Sequence, residues 1–157
     1  MTHIGHCACK GVSYEMRAEP LIVHCCHCTW CQRETGSAFV LNAVIEARHV
    51  AAVEGAPDII ETPSESGMGQ RISRCPTCKV ALWSVYSGMG EKFRFVRVGT
   101  LENAARFPPD VHIFTSTKLS WVQLSQDVPI FQEYYRRSTV WSEESIERRT
   151  TELARAD

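Results

Sequence analysis

Cys25-Cys26-His27-Cys28-Thr29-Trp30-Cys31 packs four sulfurs and an imidazole into seven residues, between two stretches that read as strands. Core packing alone does not call for that density of thiols. A C-x-C overlapping a C-x-x-C brings three thiolates onto one metal ion. In an extended C-x-C the two side chains share a face, and the C-x-x-C turn folds the third sulfur back toward them. Cys26, Cys28 and Cys31 would then leave tetrahedral zinc one open position, the feature that separates catalytic from structural zinc.

Eight cysteines could also form disulfides. Secreted disulfide scaffolds are usually shorter and richer in cysteine, whereas C-x-C and C-x-x-C pairs are a metal signature of a reducing compartment. The 157 residues are most simply one domain, 1–157, and a hydrophobic content of 44% suffices for a core. Seventeen Lys and Arg against eighteen Asp and Glu leave no electrostatic footprint for nucleic acid or an anionic membrane, so a small neutral partner is expected. Met1-Thr2-His3-Ile4-Gly5-His6 lacks the basic and apolar regions of a signal peptide, and no apolar run approaches about 18 residues. A soluble, cytoplasmic protein is expected.

Working outward, Val12 to Met16 alternates apolar and polar residues as a half-buried strand does, and Leu21-Ile22-Val23 leads into the cluster. Gln32 to Ser37 reads as one helical turn ended by Gly36. Ala38 to Ile45 reads as a central strand buried on both faces. Further strands are expected at 50–54, 58–62, 70–74, 81–87 and 92–98, the last two flanking a hairpin at Gly88-Met89-Gly90. The tetrapeptide Ser-Gly-Met-Gly occurs at both 66–69 and 87–90, with no repeat in the flanks. His112 to Thr115 suggests another strand and Ser120 to Leu124 a half-buried segment. Ser142 can cap a C-terminal helix with Glu143 and Glu144 in its first turn, and Ile146 and Leu153 form a thin apolar stripe. That helix is expected to lie on the surface or fray.

Cys7-Ala8-Cys9 opens a strand and Cys75-Pro76-Thr77-Cys78 follows one, so the two pairs supply four sulfurs for a closed zinc site. Such sites contribute on the order of 10 kcal/mol or more at neutral pH, which rivals the net stability of a domain this size.

The order C-x-C, then C-H-C-x-x-C with a following basic residue and glycine, then C-x-x-C ahead of Leu82-Trp83, resembles the glutathione-dependent formaldehyde-activating enzyme family, which includes centromere protein V. Gly5, Val12, Tyr14, Arg33, Gly36, Phe39, His112-Ile113, Trp121 and Pro129 extend the resemblance over most of the chain. It implies a mainly β fold of zinc-clasped antiparallel sheets, a structural zinc on Cys7, Cys9, Cys75 and Cys78, and a second zinc on Cys26, Cys28 and Cys31. It also implies carbon-sulfur lyase chemistry, the reversible combination of glutathione and formaldehyde as S-hydroxymethylglutathione. Relatives usually carry glycine directly after the second Cys of each outer pair, where this chain has Lys10 and Lys79. Glycine there suits a positive φ, so these lysines would be strained.

His27 alternates away from Cys26 and Cys28, so a packed or solvated imidazole is weighed against acid–base work. His24 shares the ligand face but needs a sharp bend to join the metal. Cys25 reads as a buried thiol, and His112 and Trp121 as core or cleft wall. Arg33 could hold a substrate carboxylate as a fork, or be a solvated arginine. Two other classes remain open: a non-catalytic zinc-binding interaction module, and a thiol–disulfide protein using Cys28 and Cys31.

Overall fold

A computed structural model describes residues 1–156. Among the described residues there are ten strands, β1 (His3–His6), β2 (Ser13–Met16), β3 (Ile22–Cys26), β4 (Val40–Glu46), β5 (Val50–Glu54), β6 (Asp58–Thr62), β7 (Gln70–Arg74), β8 (Ala81–Tyr86), β9 (Phe93–Arg97) and β10 (Val111–Ile113). These residues add two helices, α1 (Thr29–Thr35) and α2 (Glu143–Ala154). The architecture is mainly β with a C-terminal helix, as the sequence leads one to expect. A three-stranded antiparallel sheet runs β1-β2-β5, and a seven-stranded sheet runs β10-β3-β4-β9-β8-β7-β6. One pairing departs from the antiparallel expectation, because β10 lies parallel to β3. Strand β1 has no hydrophobic period of its own and forms by pairing with β2, where Gly5 opposes Tyr14. Glycine is required there, since a Cβ would lie 2.2 Å from the tyrosine ring.

Strand β4 is covered on both faces, and its alternation divides the interior. Ala43 and Ile45 join Val12, Tyr14, Met16, Leu82 and Trp83 toward the small sheet. Val40 and Val44 join Ile22, Phe93, Phe95 and Val111 on the opposite face, beneath the C-terminal segment. Helix α2 starts at the expected cap, with Ser142 Oγ accepting from the Ser145 N–H. Its seating differs from the expected apolar stripe, since Leu153 is exposed and the buried positions are Ser145 and Glu152. Ser145 Oγ donates to the Leu21 carbonyl at 2.7 Å, and Arg148 pairs with the fully buried Glu46 at 2.7 Å. Ser120 to Leu124 is irregular, with Val122 buried and Trp121 exposed. Among the described residues no helix is long and apolar enough to cross a membrane.

Candidate functional site

The floor of the cavity beside the thiol cluster is a row of side chains on one face of the large sheet. Strand register aligns Ile113 with Cys26, His24 with Asn42 and Asn42 with Arg97, while Val44 opposes Phe95. Ile113, Cys26, His24, Asn42 and Phe95 thereby line one cavity of about 340 Å³. Helix α1 supplies Cys31 and its cap residue Cys28, so the helix begins inside the thiol cluster, three residues earlier than the sequence suggests. Cys28 Sγ accepts from the Cys31 N–H at 3.3 Å, and Gly36 ends the helix at φ +65°. Glu34 ties α1 to the sheet through ion pairs with Arg74 and with Arg97, the latter at 3.4 Å. Arg97 also donates to Asn42 Oδ1 and, at 2.9 Å, to Ser84, which fixes the amide on the cavity floor.

Among the described residues, three sets of side chains could hold a metal ion. The sulfurs of Cys26, Cys28 and Cys31 lie within 4.8 Å of one another, all on buried residues. Hydrogen bonds from Cys26 and Cys31 side chains, with those from the Cys31 and Trp30 amides, push the Cys28 thiol down to about 3 and make it the first thiolate. The sharing of these protons holds Cys26 and Cys31 well above the usual thiol range. Cys7, Cys9, Cys75 and Cys78 form the second set. Cys7 and Cys9 sulfurs are 3.5 Å apart and those of Cys9 and Cys75 3.7 Å. A zinc–sulfur bond of ~2.3 Å gives a tetrahedral edge of about 3.8 Å, so this spacing fits one zinc ion. Both knuckles turn at a lysine in the left-handed region, Lys10 at φ +59° and Lys79 at φ +61°.

The third set, Cys25, His27 and His112, lies on the other face of β3, as the alternation of that strand requires. His27 Nε2 and His112 Nδ1 are 3.0 Å apart, while His27 Nδ1 is buried without a partner. Burial, and then His112, lowers His27 to about 4, and burial raises Cys25 to about 12. His24 is absent from the three-sulfur set. Its Nε2 lies 2.6 Å from the Tyr135 hydroxyl, which accepts from Trp141 Nε1 at 2.8 Å, so the phenol donates to a neutral imidazole. Burial followed by Arg137 holds His24 down at about 3.

Arg33 lies elsewhere, on a shallower depression shared with Phe39 and Trp121. The cation on the wall of the thiol cavity is Arg137, beside Tyr134. Sequence reasoning missed both, because a polar segment with scattered arginines and tyrosines carries no motif. The two Ser-Gly-Met-Gly loops meet across the mouth, where Ser87 N–H donates to the Gly69 carbonyl and Met68 and Met89 line the cavity.

Residues 2–117 match the family model described as glutathione-dependent formaldehyde-activating enzyme. The chain belongs to the glutathione-dependent formaldehyde-activating enzyme family. All three thiol-bearing stretches of this formaldehyde-activating family member fall within the match, whereas Tyr134 and Arg137 lie beyond it. A crystal structure of a Rhodobacter sphaeroides protein is similar, at 17% identity and a TM-score of 0.48, over 81% of this chain and 98% of that one. No curated protein gives a significant match.

Proposed function

We propose that the protein is a zinc-dependent carbon-sulfur lyase that catalyses the reversible addition of a thiol, glutathione or one like it, to a small aldehyde such as formaldehyde. The supporting observation is the set of three buried sulfurs, Cys26, Cys28 and Cys31, on the wall of a cavity with aromatic and thioether walls. Their donor set suits zinc with one position left open, and the bound metal would there strip the proton from a substrate thiol. The four outer cysteines suit a second, structural zinc, giving up to two per chain. Because thiolate sites of this kind need a reducing compartment, we also propose a cytoplasmic location and a single domain over residues 1–157.

The chain's own residues then have distinct roles. Phe95, Tyr86 and Phe114 exclude water from the reacting sulfur, so the thiolate meets the carbonyl carbon in a medium where its charge is not quenched. As the carbon–sulfur bond forms, negative charge moves to the carbonyl oxygen. Asn42, held by Arg97, offers it an amide donor from the floor. Tyr134 offers a hydroxyl, which partial burial keeps above the usual tyrosine range and therefore protonated. His24 is neutral and supplies no proton at pH 7. The reverse sequence, with the oxygen losing its proton and the carbon–sulfur bond breaking, is the lyase direction. The test is exchange NMR on formaldehyde with glutathione. The zinc-loaded protein should accelerate formation and loss of the hemithioacetal, and C28S should abolish the acceleration while the fold persists. An unaccelerated exchange with both metal sites filled would exclude this activity.

A further inference from the structure

Aromatic rings, two methionines and the three cysteines make up most of the cavity lining, with His24, Asn42 and Ser66 as neutral polar groups and one cation and one carboxylate, Arg137 and Glu65. Arg137 is the arginine that combines a place on the cavity wall with the lack of an oxygen partner. Its Nε is buried with no hydrogen-bond acceptor, and its terminal nitrogen lies 3.1 Å from the weakly accepting thioether of Met89. Among the described residues no carboxylate, carbonyl or amide oxygen meets this guanidinium. Arg137 is half-buried, and its buried Nε lacks an acceptor at a cost that an incoming anion reaching the fork would relieve. The planar fork matches a carboxylate in two parallel hydrogen bonds. Its backbone is fixed by a short helical turn in which its carbonyl accepts from Val140 and Trp141, and Trp141 is itself anchored through Tyr135 to His24. The cation is therefore carried on a braced segment rather than on a loose tail.

Building on the thiol-binding reading above, we propose that Arg137 anchors a carboxylate of the incoming thiol, so that the cavity selects mercapto-acids with an apolar body over neutral thiols. The aromatic and thioether walls take the body, the three sulfurs mark where the substrate sulfur goes, and Arg137 takes the anionic end. Arg137 lies beyond residues 2–117, so this anchor is carried by the chain's C-terminal segment and not by the thiol-bearing stretches.

The experiment uses zinc-loaded full-length protein and calorimetry with 2-benzyl-3-sulfanylpropanoate, its methyl ester and its S-methyl derivative. Wild type should bind the acid about ten- to hundredfold more tightly than the ester, the range for a hydrogen bond to a charged group. R137Q should bring that ratio close to one while leaving the ester's affinity unchanged, and R137K should fall between. An unchanged ratio in R137Q overturns the proposal, as does equal weakening of acid and ester, which would make Arg137 a counter-ion of the sulfurs. Failure of both acids to bind also overturns it. The S-methyl acid separates this idea from the enzymatic one. If cobalt placed at the inner site shows no absorption change with any thiol, yet the S-methyl acid still depends on Arg137, the anchor stands and thiol activation falls.

Discussion

Lys10 and Lys79 occupy equivalent turns of the two outer knuckles, each in a backbone region that L side chains enter at a cost of about 1–2 kcal/mol. The turns are held nonetheless, by the Lys10 N–H donating to the Cys7 carbonyl at 3.1 Å and the Lys79 N–H to the Cys75 carbonyl at 3.0 Å. Glycine removes the strain but loosens the unfolded chain by about 0.4–1 kcal/mol. K10G and K79G should each therefore raise stability by roughly 0.5 kcal/mol, read as the denaturant midpoint of the zinc-loaded protein. If both glycines lower the midpoint, the ammonium groups matter more to the tetrathiolate than the backbone does. Arg137 was not legible in the sequence, because an unpaired guanidinium is defined by what surrounds it, and Arg33 drew attention only by following the cysteines. The left-handed turns at the lysines were legible, since a pattern that elsewhere demands glycine states a backbone angle.

Helix α2 holds its place by charge. Burial of Glu46 favours the neutral carboxyl and is the largest single influence, but the two hydrogen bonds from Arg148, the backbone hydrogen bond and the neighbouring positive charge together outweigh it and hold the group below its ordinary 4.5. A depressed carboxylate contributes stability above its unfolded value, and that contribution is lost as pH falls through the folded one. Wild type should therefore exceed E46Q in stability most at neutral pH, with the gap narrowing below pH 4.5. A gap that stays constant down to acid unfolding would mean the pair contributes nothing. Removing the partner cation instead should be severe: R148M leaves a carboxylate with a fully buried side chain unpaired, at about 3 kcal/mol by denaturant unfolding. Strand β2 was readable from its alternation, β4 from its unbroken apolar run, and β5 through β9 from short strand-like runs set between turn residues. The seating of α2 was only half readable, because Ile146 does pack against the core whereas Leu153 is exposed and the remaining contacts are made by Ser145, Arg148 and Glu152. Strand β10 ends at Ile113, and the next residue, Phe114, turns into the left-handed region at φ +55° and lines the cavity. No residue-level signal announces such a turn.

At the scale of the molecule, the outer sulfurs join the β1–β2 turn to the β7–β8 turn, while the inner ones sit on β3 and α1. The two sets should thus fail differently. A C26S/C28S/C31S protein is expected to keep one zinc per chain and native circular dichroism, whereas C9S or C78S should lose the fold, since the closed site contributes on the order of 10 kcal/mol. Metal analysis beside far-UV spectra reads both outcomes, and an unfolded inner variant would refute the division. The cysteine spacing alone makes both sets visible, yet not the cavity, whose walls come from residues as distant along the chain as His24 and Arg137. That separation has a consequence in time. Tyr135 and Trp141, which brace the wall over His24, are translated after Cys26, Cys28 and Cys31. The last wall residue before the C-terminal segment is Phe114, so at about 5–20 residues per second the nascent pocket is open on the side that Arg137 later walls for roughly 1–5 s. Metal can load into a half-built basin, and the C-terminal segment then shuts behind it.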